Sequence, residues 1–73
     1  MAQVMERQWG TVKDFDKLSG RGIIVTDMGE QVAVRYAVIR GEGERALRPG
    51  ERVSLEIEQK PSGLSAVSVM RQS

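Results

Sequence analysis

Apolar and polar residues alternate along this chain in short runs, and clusters of Gly, Pro, Asp and Ser cut the runs apart. The cleanest alternation is Arg52 to Gln59. There Val53, Leu55 and Ile57 point one way and Ser54, Glu56 and Glu58 the other, the period of a strand with one buried face. Gly20 to Thr26 and Gln31 to Ile39 read as two adjacent strands joined by Asp27-Met28-Gly29-Glu30. Trp9 to Phe15 is a further strand, with Thr11 and Lys13 alternating with Val12, and Leu64 to Met70 is the last, with Val67 and Val69 inward. The turns between them have their own chemistry. Gly20 ends Asp16-Lys17-Leu18-Ser19-Gly20 with freedom to take positive φ, Arg48-Pro49-Gly50-Glu51 reads as a type II turn, and Lys60-Pro61-Ser62-Gly63 turns back. Arg40 to Gly50 is irregular, with Ala46 and Leu47 as its apolar anchor. Five short strands without a long helix predict an all-β fold, and a barrel in preference to a sandwich, because closure removes most exposed strand edges.

Alternation also sorts side chains onto faces. With Val32 and Val34 inward, Arg21, Ile23, Ala33 and Arg35 share the open face of the second and third strands. The function depends on what that face can grip. Trp9, the single Trp, is expected as an apolar plug at one end of the barrel, with contact to a partner or a base as the alternative.

Composition narrows the picture. Seventy-three residues make one small domain, which buries only about 60% of its unfolded surface. Residues 1–8 form a polar, mobile lead-in, 9–70 the folded domain and 71–73 a tail. Met1 to Gln8 lacks the apolar core of a signal peptide, and no apolar run approaches the roughly 18 residues of a membrane span, so the expected location is cytoplasmic, away from membranes. Eleven basic against ten acidic residues leave a net charge of +1. There is no His and no Cys, which removes the commonest general base, the thiol nucleophile and the usual metal ligands. Asp14 and Asp16 read as charged turn residues, and neither Gly20-Arg21-Gly22 nor Gly41-Glu42-Gly43 continues into a phosphate-binding loop. No enzyme activity, cofactor or metal is expected.

A run of residues spread over nearly the whole chain then carries a resemblance. Gly10-Thr11-Val12-Lys13, Phe15, Gly20-x-Gly22-x-Ile24, Val32-x-Val34, Ile39, Gly41-Glu42-Gly43, Arg45, Leu47, Gly50, Val53-Ser54, Glu56, Glu58-Gln59 and Ala66 resemble the bacterial cold-shock proteins. The resemblance implies a cold-shock domain over 9–70, folded as a five-stranded antiparallel OB-type barrel. It also implies binding of single-stranded RNA or DNA, with a possible chaperone role, through aromatic side chains on the first three strands.

Most of those aromatics are replaced. The family usually carries Trp where this chain has Asp14, Lys-Gly-Phe-Gly-Phe-Ile where it has Ser19-Gly20-Arg21-Gly22-Ile23-Ile24, Val-Phe-Val-His-Phe where it has Val32-Ala33-Val34-Arg35-Tyr36, and another aromatic where it has Glu44. Only Phe15 and Tyr36 keep a ring. A base stacked on an aromatic ring contributes about 1–3 kcal/mol, so losing about four platforms removes about 4–12 kcal/mol. A micromolar complex is held by only about 8 kcal/mol. Binding is therefore expected to be weak, salt-sensitive and carried mainly by charge. The expected site is Lys13, Phe15, Lys17, Arg21, Ile23, Arg35 and Tyr36, with guanidinium groups that stack on bases and pair with phosphate. The alternative is a divergent member that has lost nucleic-acid binding and uses the same face for a protein partner or for homodimerisation.

Overall fold

A computed structural model describes the backbone of residues 3–40 and 47–71, with side chains over 7–40 and 47–71. The strands are β1 (Gln3–Asp16), β2 (Arg21–Thr26), β3 (Gln31–Arg35), β4 (Ile39–Arg40), β5 (Arg52–Lys60) and β6 (Gly63–Arg71). β3 and β4 are two halves of one barrel strand, separated by a single 3-10 turn at Tyr36–Val38. The fold is thus a closed five-stranded β-barrel of the OB type. The pairs β1–β2, β2–β3, β1–β5 and β5–β6 are antiparallel. The barrel closes through parallel pairing, Ala33 with Ser65, Ile39 with Val69 and Arg40 with Met70. No helix among the described residues is long and apolar enough to cross a membrane.

Three boundaries differ from the sequence expectation. β1 begins at Gln3 rather than Trp9, and Gln3–Met5 pair with Gln59–Ile57 of β5, so much of the expected lead-in is paired strand. The third strand breaks after Arg35 instead of running to Ile39. β2 supplies no partner beyond Arg21, and the last contact is the Tyr36 N–H donating to the Gly20 carbonyl at 2.8 Å. In the β5–β6 pairing the register shifts between Glu56 and Ile57, which leaves Val67 as the extra residue of β6, half-buried instead of inward, and places Ala66 in the core. Gly41-Glu42-Gly43 and Ala46 lie outside the described residues.

The core is the sum of the inward halves: Val12, Ile24, Val32, Val34, Ile39, Leu47, Val53, Leu55, Ile57, Ala66 and Val69. Each large apolar side chain buried there contributes about 1.5–3 kcal/mol. The turns follow their expected chemistry. Gly50 takes φ +88° while the Glu51 N–H donates to the Arg48 carbonyl at 3.0 Å, as a type II turn requires. Gly22 is needed for a different reason. A Cβ there would run into the Asp14 carbonyl and lie 2.7 Å from Phe15 Cδ2, so only Gly lets β1 and β2 approach.

Candidate functional site

The β2–β3 register sets Arg21 directly opposite Arg35, Ile23 opposite Ala33, and Val25 opposite Gln31. The intervening Ile24, Val32 and Val34 are buried, so these three pairs face outward. Arg21, Ala33 and Arg35 are exposed and Ile23 is half-buried. Directly opposed residues hold their Cβ atoms about 4.5–5.5 Å apart, which puts the two guanidinium groups within reach of one ligand. β1 extends both rows: Asp14 pairs with Ile23 and Asp16 with Arg21. The β1–β2 register shifts between Val12 and Asp14, leaving Lys13 as the extra residue, and Lys13 and Asp14 are both exposed.

Among the described residues, neither Arg21 nor Arg35 has an ion-pair partner. The Asp16 carboxylate, which stands nearest in register, accepts the Leu18 N–H at 2.9 Å within the turn. Lys17 is exposed in that same turn. Lys13, Lys17, Arg21 and Arg35, with Lys60 beside Arg35, thus stand against Asp14, Asp16 and Glu58, a local excess of positive charge on a chain whose net charge is only +1.

Tyr36 is exposed, and its ring lies over Gly20, where an added Cβ would sit 2.5 Å from Tyr36 Cδ1. Gly20 itself holds φ +70°. Ser19, Gly20, Arg21, Arg35, Tyr36 and Ala37 together line an open cleft of about 250 Å³. Six of the seven expected site residues therefore lie on the outward face or its adjoining turns. The seventh, Phe15, is set differently. It pairs with Gly22, which pairs with the buried Val34, and it is half-buried against the core rather than on the face with the arginines.

Sequence reasoning missed one constellation. Trp9 does not plug the barrel; it is 47% exposed, with the Arg52 guanidinium 5.8 Å from its ring centroid. Arg52 donates to both oxygens of Asp27, at 2.6 and 3.1 Å, and to Thr11 Oγ1 at 3.2 Å. These hydrogen bonds hold the Asp27 carboxyl below its usual range and raise Arg52. The signal was the β1 alternation carried back two residues from Thr11 to Trp9, which puts both on the outer surface. The Asp27–Arg52 pairing joins positions far apart in sequence and leaves no local trace.

Comparison with known proteins agrees with this geometry. Residues 8–72 match the model of the 'Cold-shock' DNA-binding domain family. Cold shock protein CspB of Geobacillus stearothermophilus is 39% identical over 64 residues, covering 88% of this chain and 97% of that protein. Cold shock protein CspC of Bacillus subtilis is 36% identical over 62 residues, covering 85% and 94%. Cold shock-like protein CspA of Shewanella violacea is 40% identical over 62 residues, covering 84% and 89%. Among solved structures, apo-CusF from Escherichia coli superposes with a TM-score of 0.66 at 16% identity, covering 100% of this chain and 92% of the other, a likeness of fold alone.

Proposed function

The chain belongs to the cold-shock DNA-binding domain family, and from that premise we propose that it binds single-stranded RNA or DNA weakly, mainly through charge. The observation that carries this reading is the in-register pair Arg21 and Arg35, exposed and without a carboxylate partner among the described residues. Each guanidinium can fork two N–H donors onto phosphate oxygens or lie flat on a base. Lys13 and Lys17 add positive charge beside them, while Ile23 and Tyr36 offer apolar surface and one ring. Phosphate contacts position a strand without reading its sequence, so binding is sequence-tolerant.

The test is a titration of fluorescently labelled single-stranded DNA and RNA of several sequences at low and moderate salt. Weak binding that tolerates sequence and falls steeply with salt is expected, and Arg21→Ala should weaken every complex alike. No binding at low salt, or binding indifferent to salt, overturns the reading.

A second reading is favoured by a separate observation: Ile23, Val25 and Ala33 occupy the middle of the face without a ring among them. Such a surface, rimmed by Arg and Asp, suits a protein contact or a second copy of the chain. Sedimentation over a range of concentrations, together with recovery of bound protein, separates the two, since a strictly monomeric chain with no recoverable protein partner counts against the second.

A further inference from the structure

We propose that the cleft between Arg21 and Arg35 is a phosphate-monoester site, which captures the phosphorylated end of a single strand in preference to its internal linkages. The inference rests on the single-strand reading above and adds which group of the strand is gripped.

The first reason is electrostatic. Two guanidinium groups opposed across a β-ladder repel each other, and no described carboxylate lies within ion-pair distance of either. Asp16, the register partner of Arg21 on β1, keeps its charge but makes no ion-pair contact with either guanidinium, one of its oxygens accepting the Leu18 N–H instead. An anion seated between them converts this repulsion into two attractions. A terminal phosphate carries about −1.5 to −2 charges and three free oxygens. An internal diester carries a single negative charge and has only two unesterified oxygens. Two forked donors therefore match the monoester in both charge and number of acceptors.

Position within the fold gives the second reason. Arg21 is the first residue of β2 and Arg35 the last of β3, so the pair stands at one end of the outward face. Along the β2–β3 ladder the face extends from there through Ile23 and Ala33 to Val25 and Gln31, and across the sheet Arg35 borders a second cleft with Glu58, Lys60 and Ser65. At the other end of the ladder the strands give way to the turn through Lys17-Leu18-Ser19 and to the 3-10 turn at Tyr36–Val38. The cleft is small, about 250 Å³, and its remaining wall is Ser19, Gly20, Tyr36 and Ala37. Ser19 and Tyr36 bring hydroxyl groups, which can donate to a phosphate oxygen. A strand laid along the face would meet this pocket with its terminus.

The test is competition at constant ionic strength against a labelled oligothymidylate, using unlabelled hexathymidylates that end in a 5′-phosphate, a 3′-phosphate or hydroxyls at both ends. One phosphorylated form is expected to compete about tenfold better than the hydroxyl form, as one added charge-assisted contact implies. The end that gains identifies the polarity of the strand. The advantage should vanish in Arg21→Ala and in Arg35→Ala, both exposed positions whose folding is checked by circular dichroism. It should also shrink from pH 7 to pH 5, where the monoester takes up its second proton near pH 6. The chain has no His to titrate in that interval, so the hydroxyl form should stay level. Equal competition by all three oligonucleotides overturns the proposal and leaves single-strand binding standing. So does a phosphate advantage that survives in both variants. Absence of binding by any of the three overturns both readings together.

Discussion

Two guanidinium groups in register on neighbouring strands cost stability until something negative lies between them. Replacing Arg35 with Gln should therefore stabilise the free protein by about 0.2–1 kcal/mol at low salt. Near 1 M salt the gain should vanish, because the screening length falls to about 3 Å. Urea unfolding at the two salt concentrations checks this, and a destabilised variant at low salt contradicts it. Asp27 offers an independent test on the opposite sign of charge. Its carboxyl is held below the usual carboxylate range chiefly by the hydrogen bonds from Arg52. A folded-state value lower than the unfolded one stabilises the protein above the unfolded value, and that contribution is lost as pH falls through the folded value. Between about pH 5 and pH 2, Asp27→Asn should thus lose less of its thermal midpoint than the parent chain. Trp9 fluorescence should respond over the same range, since Arg52 sits over its ring. Gly22 tests packing rather than charge. Gly22→Ala sets a Cβ against the Asp14 carbonyl and the Phe15 ring and should cost about 1–3 kcal/mol in thermal or urea unfolding, whereas an unchanged midpoint would mean that β1 and β2 can part at no cost.

β5 was the most legible strand and is the most fully buried on its inner side, with Val53, Leu55 and Ile57 all at 0% exposure. Leu55→Ala should cost about 2–5 kcal/mol. Against a total stability of about 4–11 kcal/mol for a chain of this length, that is enough to lower the unfolding midpoint sharply. β3 marks where the pattern stopped being informative. Val38 and Ile39 have the branched side chains of a strand, and no Gly, Pro, Asn or Asp between Gln31 and Ile39 marks the break. The interruption follows instead from β2 running out of partners at Arg21, a fact of register that no local residue records. The same holds for β1. Its shift at Lys13 puts Lys13 and Asp14 both on the exposed side and moves Phe15 inward, which strict alternation from Thr11 does not anticipate. Arg21 and Arg35, by contrast, were legible as a pair sharing a face, because each directly adjoins an inward neighbour on its own strand, the close-packed Gly22 or the buried Val34.

The barrel is retained, and under the proposed reading its grip on nucleic acid rests on charge. The core positions and the glycines that the turns and the β1–β2 contact require agree with a cold-shock domain, and the family match spans residues 8–72. Ile23 and Ala33 instead form the middle of the outward face, and Arg21 and Arg35 its end. On the proposed reading this face holds a strand by its phosphates, and phosphate contacts release counterions. For single strands each neutralised phosphate adds about −0.7 to the slope of log K against log salt. The most direct measurement is therefore the salt slope of oligonucleotide binding for the parent chain and for the double variant Arg21→Ala/Arg35→Ala. The variant's slope should be shallower by about 1.4, with weaker binding at every salt concentration. Equal slopes, or a parent complex that salt leaves untouched, would contradict a phosphate-centred grip.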